Sequence, residues 1–393
     1  MRSKRPLAVF FVAALALAGL SVYLLARPEP PLAPKASLSV AGALRAANDQ
    51  GYARALEPRE FRFPADHGPH PDFRTEWWYY TGNLETAEGR RFGFQLTFFR
   101  SALAPEMPAR ESAWATRQAW LAHFTLTDVQ SGTFRSFERW SRGALGLAGA
   151  QAEPFRVSLK NWTAEAVGGQ APPMHLAASE DGVGIDLVLQ QGKPPVLQGE
   201  RGLSRKSAEP GNASYYYSLP RMPASGTVYV GTESFAVTGL AWMDREWSTS
   251  SLGKDQVGWD WFSLQLSDGW DVMLYRLRKK DGTADPASSG TLIGPSGETR
   301  PLNLADFTIE DVGEWRSPRS GARYPERWRL RIPSEDLDLE VRPLLADQEL
   351  DVSFRYWEGA VGLEGTRRGR PVQGRGYVEL TGYTETAASK NAR

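Results

Sequence analysis

The sequence predicts an all-β protein: two consecutive antiparallel β-barrel domains behind an N-terminal apolar helix for export or anchoring. Three observations carry this. Short segments alternate apolar and polar residues and are divided by Gly, Pro and Asp-Gly turns, the pattern of strands rather than helices. No set of helices is available to cover a parallel sheet, so antiparallel pairing is expected. A Trp-flanked carboxylate opens a strand in each half, at Glu76-Trp77-Trp78 and at Trp259-Asp260-Trp261, and each is followed by a turn and a return strand. That repetition suggests duplication.

Bulk numbers bound the function. A chain of 393 residues is long enough for about two domains. The 46 basic and 46 acidic residues cancel and are interspersed, which argues against a nucleic-acid partner. There is no cysteine, so disulfides, thiolate metal sites, a Cys nucleophile and a lipoprotein anchor are excluded.

At the N-terminus, Arg2, Lys4 and Arg5 precede an apolar run from Leu7 to Ala26. Basic residues before such a run mark an export signal, and this one is about long enough to span a bilayer. Residues 1–27 read as a cleaved signal peptide or an uncleaved anchor: Ala16-Leu17-Ala18 offers a cleavage site, but apolar residues continue past it. Either case places the body outside the cytoplasm, in the periplasm or cell envelope, with residues 7–26 meeting the membrane. Pro-rich residues 28–57 read as a linker. The two barrel domains are expected over 58–224 and 225–385, with a frayed tail at 386–393.

The first domain opens on the loop Phe63–Pro71, which holds Asp66, His67 and His70, and passes into the strand Glu76–Leu84. Trp77 and Tyr79 point to one side of that strand and Glu76, Trp78 and Tyr80 to the other, so it needs cover on both faces. Arg91–Phe99 returns after a turn at Glu85–Gly89. A polar insertion at 102–118 precedes Ala119–Asp128, with His123 beside Leu121 and Thr125 on one face, and Thr133–Arg142 returns. Further strands are Phe155–Leu159, Met174–Ser179 and Gly184–Gln190, the last two joined by the tight-turn pair Asp181-Gly182. Tyr215-Tyr216-Tyr217 is a strand fragment ended by Pro220 and Pro223.

In the second domain, Thr227–Val230 and Phe235–Trp242 form a hairpin that leads into Trp242-Met243-Asp244-Arg245-Glu246-Trp247. Gly258–Leu266 and Trp270–Arg278 pair across Asp268-Gly269. Thr291–Ile293, Trp328–Ile332, Leu337–Pro343, Phe354–Val361 and Gly374–Tyr383 complete the strands.

Three groups could carry chemistry. Asp66, His67, His70, Glu76 and His123 combine imidazole with carboxylate, which suits acid–base work or ligand contact. The plain alternative is that these histidines bond loop backbone at a barrel mouth. Ligand spacing on a loop fixes no metal geometry, so neither a metal nor any other cofactor is called for. Second, Asp244, Arg245, Glu246 and Asp260 lie among Trp242, Trp247, Trp259 and Trp261. Carboxylates among indoles are costly to bury unless paired. Arg245 bridging them would be a structural lock. An unpaired carboxyl there has its pKa raised and can act as a general acid, with indole faces stabilising a carbocation. Third, Glu358 beside Trp357 sits in glycine-rich closing strands. No nucleophile elbow, phosphate-cradling loop or dinucleotide fingerprint is present.

At these residues the chain resembles a known family. Asp66-His67-Gly68, Thr75-Glu76-Trp77-Trp78-Tyr79, His123-Phe124, Trp242–Trp247, Gly258–Phe262, Trp357-Glu358-Gly359 and Glu379–Tyr383 are similar to the bacterial lipocalin-like "predicted secreted hydrolase" proteins. Carotenoid 1,2-hydratase (hydroxyneurosporene synthase) is a distant member of that superfamily. The resemblance covers about residues 58–385. It implies two consecutive lipocalin-like barrels, and an ABC-type transporter as partner, since family members often accompany permease components. It also implies Asp244 as proton donor with Trp242, Trp259 and Trp261 lining a cavity. The chain departs from the hydratases in carrying Arg245-Glu246-Trp247 where they have an Asn-containing continuation. The name "hydrolase" finds no triad or dyad to support it.

The expected function is therefore an exported lipocalin-like protein that binds an apolar or amphiphilic ligand, a lipid or isoprenoid. Glu76, Trp77, Trp78, Tyr80, His67, His123, Trp242, Trp247, Trp259, Trp261, Trp357 and Glu358 are its candidate contacts. The alternatives are a hydro-lyase adding water to a C=C bond, with Asp244, Glu246 and Asp260 as catalytic candidates, and a structural envelope module.

Overall fold

The computed structural model describes residues 49–107, 112–250 and 252–383. The apolar run 7–26, most of the linker and the tail 386–393 lie outside the described residues. Among the described residues no helix is long and apolar enough to cross a membrane.

Twenty-two strands form two antiparallel sheets, each curled on itself. The first holds β1 (Thr75–Glu85), β2 (Arg91–Ala102), β3 (Gln118–Asp128), β4 (Thr133–Arg142), β5 (Ala148–Gln151), β6 (Arg156–Leu159), β7 (Trp162–Val167), β8 (Gln170–Glu180), β9 (Val183–Leu189), β10 (Val196–Leu197), β11 (Leu203–Arg205), β12 (Ala213–Val230) and β13 (Glu233–Ser248). Its order is β4-β3-β2-β1-β13-β12-β9-β8-β7-β6-β5, with β10 and β11 both on β12. The second holds β14 (Gln256–Leu266), β15 (Asp271–Lys279), β16 (Ser289–Ile293), β17 (Thr299–Asn303), β18 (Thr308–Arg316), β19 (Arg323–Ile332), β20 (Leu337–Pro343), β21 (Trp357–Arg367) and β22 (Arg370–Leu380). Its order is β17-β16-β15-β14-β22-β21-β20-β19-β18.

Both sheets follow one plan. The first strand pairs with the last, and the two edges are consecutive strands, β4 with β5 and β17 with β18. The repeated Trp–carboxylate strands, β1 and β14, hold the same place in each. The change of sheet falls at residues 249–255, whereas the expected domain boundary at 224/225 lies inside β12.

Strand alternation decides what each barrel encloses. From β1, Trp78, Tyr80 and Leu84 turn inward and pack with Phe94, Phe98, Trp120 and Trp162. The second barrel is filled around Phe262, Trp328 and Trp357. Burying such a ring contributes on the order of 3 kcal/mol. The outward residues of β1 are covered as well, by the second sheet: Tyr79, Tyr216 and Trp242 form one apolar cluster with Trp261, Tyr275 and Tyr377. Gly93 in β2 sets the close approach, since a Cβ there would lie 2.4 Å from the Cβ of Ala360 in β21. Thr127 Oγ1 donates to Gln348 Oε1 at 2.7 Å and Asn83 Nδ2 to the Gly376 carbonyl at 2.9 Å across the same seam.

Two elements differ from expectation. β12 does not stop at Pro220 and Pro223 but runs through both. Its register slips between Leu219 and Met222, so Pro220 lies in an irregularity where no ladder donor is required. β13 continues through Asp244-Arg245-Glu246 to Ser248, because those residues still alternate: Met243, Arg245 and Trp247 inward, Trp242, Asp244 and Glu246 toward the seam. The Asp181-Gly182 turn forms as read, with φ of 48° and 76°.

Candidate functional site at the seam

Strand register builds the site. Across β12, β13, β1, β2, β3 and β4, the residues Ser218, Asp244, Tyr79, Thr97, His123 and Glu138 stand side by side. Two positions along, on the same face, come Tyr216, Glu246, Trp77, Phe99, Leu121 and Trp140. In the second sheet Tyr275, Trp261, Glu379 and Glu358 make a row across β15, β14, β22 and β21. These faces enclose a cavity of about 360 Å³ between the two barrels. Its walls are mostly indole, phenyl and leucine, and the exposed Leu103 and Trp140 stand at its rim.

The polar groups in these walls are few. Asp244 is buried and accepts from Tyr216 OH at 2.5 Å, Ser218 Oγ at 2.5 Å and Trp242 Nε1 at 2.7 Å. Burial pushes its carboxyl up to about 7, although those three donors favour the charged form. Glu358 and Glu379 face each other directly across β21 and β22. Glu358 is fully buried, accepts one bond from Tyr79 OH at 2.9 Å, and leaves Oε1 without a partner. Burial and the charge of Glu379 hold its pKa well above the carboxylate range. Burial brings Glu379 up to about 8, against the bond from Trp259. Glu246 is different: Lys206 Nζ lies 2.9 Å from its Oε1, and Ser214 Oγ donates to it. Lys206 also sits 4.6 Å from the Tyr275 ring centre.

At the other end His123 Nδ1 meets Tyr356 OH at 2.7 Å and Nε2 meets Glu138 Oε2 at 3.1 Å. Burial lowers its pKa against the pull of Glu138, which keeps the ring neutral. The imidazole therefore joins the first barrel to the segment preceding β21.

Of the residues singled out in the sequence, Trp77, His123, Asp244, Glu246, Trp259, Trp261 and Glu358 line this one cavity. The others do not. Trp78 and Tyr80 lie inside the first barrel and Trp357 inside the second. Trp242 backs the wall through its bond to Asp244 rather than lining it. Glu76 points away from the cavity and is held by Arg100 and Arg245, and Asp260 by Arg276 and Arg278 at 2.5 and 3.0 Å. Both carboxylates are ion-paired locks inside their barrels, so Asp260 is no catalytic candidate and Glu76 no ligand contact. Arg245 pairs with Glu76 and lies 3.9 Å from the Trp78 ring centre; it does not bridge Asp244 to Glu246. His67 bonds Tyr217 OH at 2.6 Å, and burial lowers it to about 4. Trp247 stacks on His70 at 3.7 Å between ring centres. Among the described residues no group of three potential metal ligands gathers.

Sequence reasoning missed Tyr79, Lys206, Tyr216, Tyr275, Tyr356 and Glu379 as site residues. Tyr79 shares parity with Trp77, and Tyr216 lies opposite Glu246, so pairing β1 and β12 with β13 would have found both. Lys206 lies just past β11 and carries no periodic signal.

The fold and site define a class: a two-barrel β protein with an aromatic cavity, edged by buried acids, at the barrel seam. Residues 54–383 match the AttH-like family, and the chain belongs to it. The crystal structure of an AttH candidate from Nitrosomonas europaea is 36% identical with a TM-score of 0.75, covering 84% of this chain and 99% of that one. Kievitone hydratase from Nectria haematococca shares the fold at 16% identity and a TM-score of 0.65, covering 85% and 98%. CghA with Sch210972 aligns at 15% identity and a TM-score of 0.50, covering 86% and 98%. No curated protein matches the chain.

Proposed function

We propose that the seam cavity binds an apolar or amphiphilic small molecule with a C=C bond and adds water to it. The observation that carries this is Asp244: a buried carboxyl, titrating near 7, in a wall of indoles. Such a group keeps its proton near neutrality yet can release it, as a general acid must. The proton passes from Asp244 to one alkene carbon and leaves a cation on the other. Trp77, Trp259 and Trp261 line the cavity and can stabilise that cation through their ring quadrupoles. Water adds to the cation, and its extra proton returns to the Asp244 carboxylate, which restores the acid. The hydratase among the structural neighbours is in keeping with this chemistry but supports only the fold.

The test uses isotopic water. The protein is incubated in ¹⁸O-water with a lipid and isoprenoid extract, and products are sought that gain one labelled water. Asp244→Asn should abolish that gain and keep ligand retention in native mass spectrometry. Unchanged labelling by the variant rules out the role given to Asp244.

A carrier reading shares the cavity and lacks the chemistry. In that version the body works outside the cytoplasm and exchanges its ligand with an ABC-type transporter. The apolar run behind Arg2, Lys4 and Arg5 supports the location. Retained ligand with no labelled product in wild type would favour it, and recovery of the protein in the cytoplasm would remove it.

A further inference from the structure

Among the described residues the Glu358–Glu379 pair has no ion-paired cation. Two carboxyls directly opposite on neighbouring strands repel when both ionise. The carboxylates inside the two barrels are matched by arginine: Glu76 by Arg100 and Arg245, Asp260 by Arg276 and Arg278. Around Glu358 and Glu379 no Lys, Arg or His forms an ion pair among the described residues. Lys206, the cation in the cavity wall, is committed to Glu246, and His123 is held neutral by burial. Glu358 is fully buried with an unpartnered Oε1. The remaining walls are aromatic: Trp77, Tyr79, Trp259, Trp261 and Tyr275.

We infer that the cavity is a receptor for lipophilic organic cations, taking a quaternary or tertiary ammonium group against Glu358 and Glu379 with its alkyl or aryl body on the indole faces. An aromatic cage supplies attraction through the ring quadrupoles. The carboxyl pair supplies the countercharge to the ammonium, and among the described residues no ion pair of its own neutralises it. A compact strongly hydrated cation gains nothing from such walls, so the match is to an ammonium that carries its own apolar surface. The site is large enough for roughly twelve water-sized groups at about 30 Å³ each. The inference rests on the seam being a ligand cavity. It also gives the proposed reaction a mimic, since an ammonium ion reproduces the charge of the intermediate cation.

Phenyltrimethylammonium and tert-butylbenzene have nearly the same shape and differ by one charge. Their binding to the full chain is compared at about pH 9, above the value of about 8 to which burial brings Glu379, so that the pair carries negative charge. The readout is displacement of a bound solvatochromic dye. The cation is expected to bind at least about tenfold more tightly than the hydrocarbon. Glu358→Gln should bring that ratio close to one, and Glu379→Gln, at a less deeply buried position, serves if the fully buried variant does not fold. Equal or tighter binding of tert-butylbenzene by the wild type overturns the inference and leaves the ligand cavity standing. Binding of neither probe overturns both. A ratio that survives both substitutions overturns the role given to the pair.

Discussion

Replacing Glu76 by Gln should loosen the first barrel and leave the seam cavity intact. Glu76 has no exposed surface, and it accepts from Arg100, from Arg245 and from the His70 backbone N–H at 3.0 Å. The two guanidiniums hold its pKa well below the usual carboxylate range despite burial. Gln keeps the shape and removes the charge, so two buried cations lose their counterion. Removing one partner of a buried pair costs about 3–5 kcal/mol. For a unit of this size each kcal/mol shifts Tm by roughly 2–4 °C, so the fall should be roughly 6–20 °C. Calorimetry and urea unfolding measure it, with the midpoint moving and the slope unchanged. The pH course follows from the sign of the shift. The folded pKa is depressed below the ordinary 4.5, so this stability is present above about 4.5 and is lost as pH falls toward the folded value. The variant lacks that acid-side slope. A Tm within about 1 °C of wild type would refute the lock, as would loss of ligand at unchanged Tm.

Asp260→Asn should act alike in the second barrel, costing about 3 kcal/mol by freeing Arg276, Arg278 and Tyr383, with cavity ligand retained; chemical unfolding checks it. Asp244 has the opposite pH signature to Glu76. Its folded value is raised from 3.8 to about 7, so wild-type stability falls as pH rises through that window, by up to about 4 kcal/mol. Asp244→Asn removes this dependence, and urea midpoints taken across the same pH range should diverge from wild type in favour of the variant; parallel curves would contradict the burial argument.

The fold was legible because strand alternation and turn residues are local signals. Asp181-Gly182 and the Trp77/Trp78 split could be read without any partner strand. The hidden parts depended on pairing. β13 mixes charge on both of its faces, and only the register with β1 shows that Asp244 and Glu246 share the face of Tyr79 and Trp77 while Arg245 shares that of Trp78. A glutamate beside a tryptophan looks the same in sequence whether it meets an arginine inside a barrel, as Glu76 does, or another glutamate at a seam, as Glu358 does. The partner arginines, Arg100 and Arg276, come from the neighbouring strand directly opposite, beyond what a linear motif reveals.

That pairing also shows that the two sheets meet the site with matching positions. Glu76 faces Arg100 across β1 and β2 as Asp260 faces Arg276 across β14 and β15. On this alignment Trp77 matches Trp261, and their neighbours on the last strand of each sheet are Glu246 and Glu379. The two glutamates are thus equivalent positions with different fates: Glu246 is neutralised by Lys206, and Glu379 is left against Glu358. The asymmetry of the cavity then has two sources: Lys206 beside Glu246, and Tyr216 opposite Glu246 where Glu358 stands opposite Glu379. Lys206→Met should strip Glu246 of its ion-pair partner. The affinity ratio of phenyltrimethylammonium over tert-butylbenzene should rise above the wild-type value, because a further carboxylate now lacks a cation. Tyr275 and Ser204 remain in place to hold the local packing. A ratio equal to or below wild type, in a variant that retains its fold by circular dichroism, would show that Glu246 and Glu379 are not equivalent and that Lys206 does not set the charge of the cavity.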